Sequence, residues 1–260
     1  MVQLFKHLHF IHQQALKDLT RSLRKKITIF ITIFISVFIL FLISTLNQSL
    51  LNEVKSNTKT ILGGDAEIEI TNKKLDIEIM KEIKTFAKIS LNTTVSSMVA
   101  NKKLNPPKTE FVQLRAIDNL YPLYGEFITT KGKVKSDFFE SYNLAIINEN
   151  LAVNLQLKEG DDLIVRDQRY VIHSIIKQMP DLGPGGLFGD LVIISQAALN
   201  SMQISSSENF FEYKYKVRYL DNVSDKEGEQ ALKRIFPETS NTQINFPENA
   251  TNFIQRVLDN

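Results

Sequence analysis

The chain has 260 residues, 43% hydrophobic and 23% charged, which is long and apolar enough for one large or two small folded domains and excludes a disordered chain. It has no cysteine, which excludes disulfides, thiolate catalysis and thiolate metal sites together. The net charge of +2 is uneven: residues 1–26 carry six Lys/Arg against one acid, and residues 47–260 carry 25 basic and 28 acidic residues without a basic stripe, which argues against nucleic acid as a partner.

In residues 1–26, Leu4, Phe5, Leu8, Ile11, Ala15, Leu16, Leu19 and Leu23 recur at spacings of three and four. The pattern predicts an amphipathic helix, suited to the cytoplasmic interface of a membrane or serving as a plain flanking helix. Residues 27–46 form a 20-residue run without charge, proline or glycine, enough as a helix to span ~30 Å of hydrocarbon. Its length, and the lack of an A-x-A-like exit after it, predict an uncleaved anchor and not a signal peptide. Arg21, Arg24, Lys25 and Lys26 abut the run and place the N-terminus in the cytoplasm and the large domain outside. Thr28, Thr32 and Ser36 share one face, a pattern that admits a second helix or, alternatively, spends each hydroxyl on a carbonyl of its own helix.

The apolar spacing continues as a helical stalk over 47–64, ended by Gly63-Gly64. The strand 65–70 follows, then a helix over Asp76–Lys88 with Ile77, Met80, Ile83 and Phe86 or Ala87 inward. Further strands are expected at 91–100 and 110–117. A second block begins with strand 145–147 and a helix over 149–155 capped by Asn148, followed by strands 162–165 and 170–177. The loop 179–190 holds four glycines and two prolines, and its Asp181, Gly183, Gly185, Gly186, Gly189 and Asp190 are candidates for touching a partner. Beyond it come strand 191–194, a helix capped by Ser195, strand 212–220 with Tyr213, Tyr215, Val217 and Tyr219 on one face, and a helix over 225–236. A last helix starts at about residue 250. Short strands separated by single helices predict an α+β domain over 65–246, with 65–120 joined by 208–246 and 125–205 inserted.

No chemistry stands out. His7, His9 and His12 lie on the polar face of the first helix with no acid or cysteine beside them, and His173 sits in an alternating strand. No acylating-serine motif occurs, and the glycine-rich loop lacks the lysine and hydroxyl of a phosphate-binding loop. Asp161-Asp162 and Asp181/Asp190 lack calcium-loop spacing and read as turn residues. Catalysis, a metal and a cofactor are therefore not expected.

Five segments in order carry a resemblance: LTRSLRKK (19–26), ILGGDAEIEI (61–70), AIDNLYPLYGEF (116–127), AIINENLAVNLQLKEGDDLIV (145–165) and QMPDLGPGGLFGDLVIISQAAL (178–199). Together they resemble the N-terminal part of an FtsX/MacB-like ABC-transporter permease, especially the YbbP-like branch. The resemblance implies a MacB-like periplasmic core domain after the first membrane helix, in the cell inner membrane. It also implies a separate ATPase subunit, a homodimer or second permease chain, and mechanical transmission to a lipid, lipoprotein or peptide. Family permeases continue into more spans, so the resemblance further implies that 250–260 leads toward a second span, with this chain a fragment or its partner spans on another chain. Two other classes are left: a membrane-tethered binding or scaffold module without transport and, disfavoured because the motifs assemble no nucleophile–base pair, a tethered hydrolase.

Overall fold

The computed structural model describes residues 27–46, 58–181, 189–202, 204, 210–237 and 242–247. The expected first helix, the stalk over 47–57 and the segment after 247 lie outside them. The chain divides into two compact units, 1–53 and 54–260.

In the first unit, helix α1 (Ile27–Leu46) has a mean hydropathy of 2.9 and is exposed throughout, long and apolar enough to cross a membrane. Its hydroxyls are spent locally: Thr32 donates to the Thr28 carbonyl and Ser36 to the Thr32 carbonyl, both at 2.8 Å. Such bonds to the i−4 carbonyl satisfy a hydroxyl without a partner helix.

The second unit is a mixed sheet with short helices. It runs through α2 (Thr58–Leu62), β1 (Ala66–Thr71), α3 (Ile77–Lys84), β2 (Ala87–Asn101), β3 (Lys108–Ile117), β4 (Ile128–Thr129), β5 (Gly132–Lys133) and α4 (Ser136–Glu140). It continues with β6 (Leu144–Ile147), α5 (Glu149–Asn154), β7 (Asp162–Val165), β8 (Gln168–Gln178), β9 (Leu191–Ser195), α6 (Gln196–Ser201), β10 (Phe211–Tyr219), α7 (Asp225–Ile235) and β11 (Gln243–Asn245). The strand order is β11-β1-β10-β2-β3-β9-β6-β8-β4-β5. Strands from 66–117 and 211–245 are thus neighbours, and strands from 128–195 follow, joined to them by the parallel β3–β9 pair into one sheet. β7 pairs with both β2 and β8, so β2, β3, β9, β6, β8 and β7 close into a ring of six strands. Closure leaves these strands no free edge along the paired stretches.

One apolar core runs along a single face of the sheet. It includes Ile68, Val217, Tyr215, Val95 and Leu114 and extends through Ile147 and Val192. A second cluster lies on the opposite face around Phe138, with Ile117, Ile146, Leu191 and Ile193. β9 serves both, which is why LVIIS is buried at every position and reads as a continuous apolar run.

Local chemistry sets the helix ends. Asp76, Asn148, Ser195 and Ser224 each accept a backbone N–H as N-caps, and Ser224 forms a full capping box with Glu227. The expected helix over 76–88 stops sooner. Thr85 ends it, and Ala87–Lys88 open β2 by pairing with Tyr219 and Arg218. Ile77, expected to face inward, is 65% exposed, because the short α3 turns only Ile83 fully into the core.

Candidate functional site

The most concentrated polar chemistry lies where α2 meets the sheet, and it is built on two buried carboxylates. The turn at Gly63-Gly64 sets the first. Gly63 adopts φ +78, a conformation favouring glycine, and closes α2 with its N–H on the Thr60 carbonyl. Gly64 approaches the neighbouring strand so closely that a Cβ there would stand 2.7 Å from the Val217 carbonyl oxygen.

Asp65 is thereby fixed at 5% exposure. Its carboxylate accepts from the Tyr219 backbone N–H at 2.8 Å and the Tyr124 hydroxyl at 2.9 Å, and pairs with Lys59 Nζ of α2 at 2.7 Å. Lys59 also reaches Asp225 at 3.0 Å, so one ammonium bridges β1 and the N-terminus of α7. Partial burial opposes the Lys59 charge, but the two carboxylates more than compensate and hold its pKa above the usual lysine range. Burial and the bond to Asp65 push the Tyr124 phenol up to about 12. Arg218 stacks over the Tyr124 ring at 5.1 Å.

Asp181 is the second centre. The turn after Met179-Pro180 drives its side chain inward, where it meets Lys216 at 3.6 Å, Arg115 at 3.5 Å, Asn92 Nδ2 at 3.2 Å and the Tyr121 hydroxyl. Burial alone would raise its pKa; the charges of Arg115 and Lys216 outweigh burial and hold the carboxyl below the usual range. Burial, followed by the Asp181 charge, pushes the Tyr121 phenol well up. Lys216, 4% exposed, also bonds Glu67 and donates to the Leu62 carbonyl at 2.5 Å. A cation there satisfies a carbonyl that α2 leaves open at its C-terminus. The centres touch: a Cβ on Gly63 would lie 3.3 Å from the Asp181 Cβ, and one on Gly125 would lie 2.7 Å from Pro180 and 2.8 Å from Thr60.

Three of the five segments that carry the resemblance, 61–70, 116–127 and 178–199, thus converge on one joint. Asp181 was expected in an exposed contact loop; it is 8% exposed and charge-paired inside the domain. Asp190 and Gly189 are half-buried, bonding Asn154 and Asn148. Gly183, Gly185 and Gly186 lie outside the described residues. Thr28, Thr32 and Ser36 lie in the other unit, on α1. His173 is half-buried near Phe138; Asp161 accepts from the Lys158 N–H in a turn, whereas Asp162, expected in that turn, opens β7 and accepts from Arg169 Nε. Sequence reasoning missed Lys216, Arg115 and Asn92. The signal available for Lys216 was the alternation of EYKYKVRY, which sets lysines opposite the tyrosine face but does not reveal that this face is roofed.

No protein-family model matches the chain, and no curated protein matches it in sequence. Among solved structures, it is similar to the periplasmic region of MacB from Actinobacillus actinomycetemcomitans, with a TM-score of 0.54 and 12% identity over 78% of this chain and 98% of that one. The extracellular domain of the ABC-type transporter YknZ from Gram-positive bacteria matches with a TM-score of 0.46 and 13% identity, over 69% of this chain and 99% of that one. The chain is therefore an N-terminal apolar helix followed by an α+β domain with the fold of a MacB periplasmic region.

Proposed function

We propose that the chain is a permease subunit, or the N-terminal portion of one, of an ABC transport system of the YbbP-like branch. A separate ATPase hydrolyses ATP in the cytoplasm, and the chain carries the resulting motion to its extracytoplasmic domain, which acts on a lipid, lipoprotein or peptide. The observation that carries this reading is the pairing of a membrane-length apolar helix with a domain of the MacB periplasmic fold on one chain. The basic residues before α1 support a cytoplasmic N-terminus in the inner membrane, with the domain on the far side. In this reading the joint of α2 with Asp65 and Asp181 passes force from the segment after the span into the sheet. The chain itself is not an enzyme. A homodimer, or pairing with a second permease chain, would use the small-residue face of Thr28, Thr32 and Ser36, where backbones can approach closely despite the locally bonded hydroxyls.

The test is purification of the full chain from its native membranes in mild detergent. A co-purifying subunit with a G-x-x-x-x-G-K-[ST] motif is expected, together with labelling of Lys102→Cys by a membrane-impermeant maleimide added outside. The cysteine-free background makes that label unambiguous. Reproducible isolation without any ATPase, with Lys102→Cys still labelled from outside, would favour a tethered binding module instead.

A further inference from the structure

β3 is paired on both sides for only half its length. β2 runs beside all of Lys108–Ile117, whereas β9 pairs only with Gln113–Ile117. The Gln113 N–H points to the β9 side, where it donates to the Asp190 carbonyl at 2.9 Å. Backbone groups alternate in direction along a strand, so the N–H and C=O of Phe111 and Thr109 point the same way. They have no partner among the described residues. The side chains beside this open edge are apolar. Alternation puts Val112 and Leu114 of β3 and Val95 and Val99 of β2 in the core, and Phe111 and Met98 on the opposite face. Met98 and Phe111 stand directly opposite each other and are 50% and 64% exposed. Lys108 and Glu110, the charged residues of the open stretch, belong to the other face, where Lys108 Nζ donates to the Asn154 carbonyl at 3.0 Å.

An open edge is a template for another strand, and proteins that keep an edge single blunt it with charges, bulges or proline. On the face shared by Thr109 and Phe111 this stretch carries no charge. A row of main-chain donors and acceptors beside an exposed aromatic ring is met by one chemistry, an extended polypeptide. Its backbone pairs with the edge, and its alternate apolar side chains cover Phe111. From this we infer that the 108–112 edge of β3 is a docking site for an extended peptide segment with apolar residues at alternate positions. A second copy of this chain fits less well. The antiparallel register that overlaps all of 108–112, KTEFV, sets Glu110 opposite its own copy, and like charges directly opposite are unfavourable. The site goes beyond the transport reading and does not depend on an ATPase.

The test is fluorescence anisotropy of the full chain in detergent with labelled peptides of about eight residues, alternating threonine with valine, leucine or phenylalanine. At least one peptide is expected to saturate below about 1 mM, and the same peptide with a central proline is not. Thr109→Pro removes an outward N–H, leaves the bonds to β2 in place, and is expected to weaken binding at least about tenfold. If Thr109→Pro fails to fold, Phe111→Lys, at an exposed position, is expected to weaken it to the same extent. The inference is overturned if no peptide saturates, if the proline analogue binds equally well, or if the folded variant binds as the parent does. It is also overturned if the chain self-associates through this edge, so that Thr109→Pro lowers its oligomeric state.

Discussion

The two faces of β1, β10, β2 and β3 are made from alternate residues of the same strands, and they are held by different physics. On one face Ile68, Tyr215, Val217 and Leu114 are at most 1% exposed and pack in a continuous apolar core. Its stabilisation scales with buried area and has little directional content. On the other face Glu67, Lys216, Asp181 and Asn92 are nearly as deeply buried, yet they are fixed by ion pairs and hydrogen bonds. Such contacts contribute little net stability but penalise any arrangement that breaks one partner away. The apolar face sets how stable the sheet is; the polar face sets where α2 and the Asp181 turn must sit.

Removing the central carboxylate tests this most severely. Asp181→Ala leaves Lys216 and Arg115 with an uncompensated buried charge and is expected to cost about 3–5 kcal/mol in urea unfolding at pH 7. The native Asp181 pKa is depressed, so its contribution is present above the unfolded value of about 3.9 and is lost as pH falls through the folded one. The gap between parent and variant should therefore begin to close as pH falls below about 4 and keep closing until the folded carboxyl is protonated. Leu114→Ala, on the apolar face, is expected to cost about 2–5 kcal/mol through lost burial and a cavity. That gap should not change with pH. A pH-independent Asp181→Ala gap would remove the distinction between the faces.

Gly64→Ala probes the contact between the turn and β10. Its Cβ would meet the carbonyl oxygens of Val217 at 2.7 Å and Ala66 at 2.8 Å, both backbone and unable to step aside. A loss of about 1–3 kcal/mol is expected by thermal unfolding, as for other overpacked sites. A neutral result would mean that the turn and strand are not in close contact.

Most strands were legible because alternation and caps are local. AEIEIT and FEYKYKVRY announce themselves by period, LVIIS by its unbroken apolar run, and Asn148 and Ser195 by chemistry, whereas the Ser224 cap was not read. The stretch 128–140 was not, since β4 and β5 have two residues each and α4 five, too few to establish a period. The joint was half legible. Gly63-Gly64 marked a helix end, but nothing in Pro180-Asp181 reveals that this carboxylate turns inward to meet Arg115, 66 positions earlier in the chain. Burial of a charge depends on which distant cations the topology delivers, and local sequence does not encode that. The six-strand ring was hidden for the same reason, because it closes through two pairs between β2 and β7.

The smallest expected effect gives the finest test of the polar face. Tyr124 joins it through one hydroxyl bond to Asp65, and its ring lies under Arg218. Tyr124→Phe keeps the ring and removes only that bond, so a loss of about 1 kcal/mol is expected at pH 8. The phenol titrates at about 12 in the folded chain against about 10 when unfolded. Folding therefore favours the protonated form. Its contribution is complete below pH ~10 and is lost as pH rises from there through about 12. The parent should lose stability across that window more steeply than Tyr124→Phe, by the slope of one proton, while the other raised phenols, Tyr121, Tyr170, Tyr213, Tyr215 and Tyr219, contribute alike in both chains. Urea midpoints at pH 8, 10 and 11 measure the difference. Equal slopes would show that the bond to Asp65 does not form in solution, leaving Lys59 and the Tyr219 N–H to hold that carboxylate.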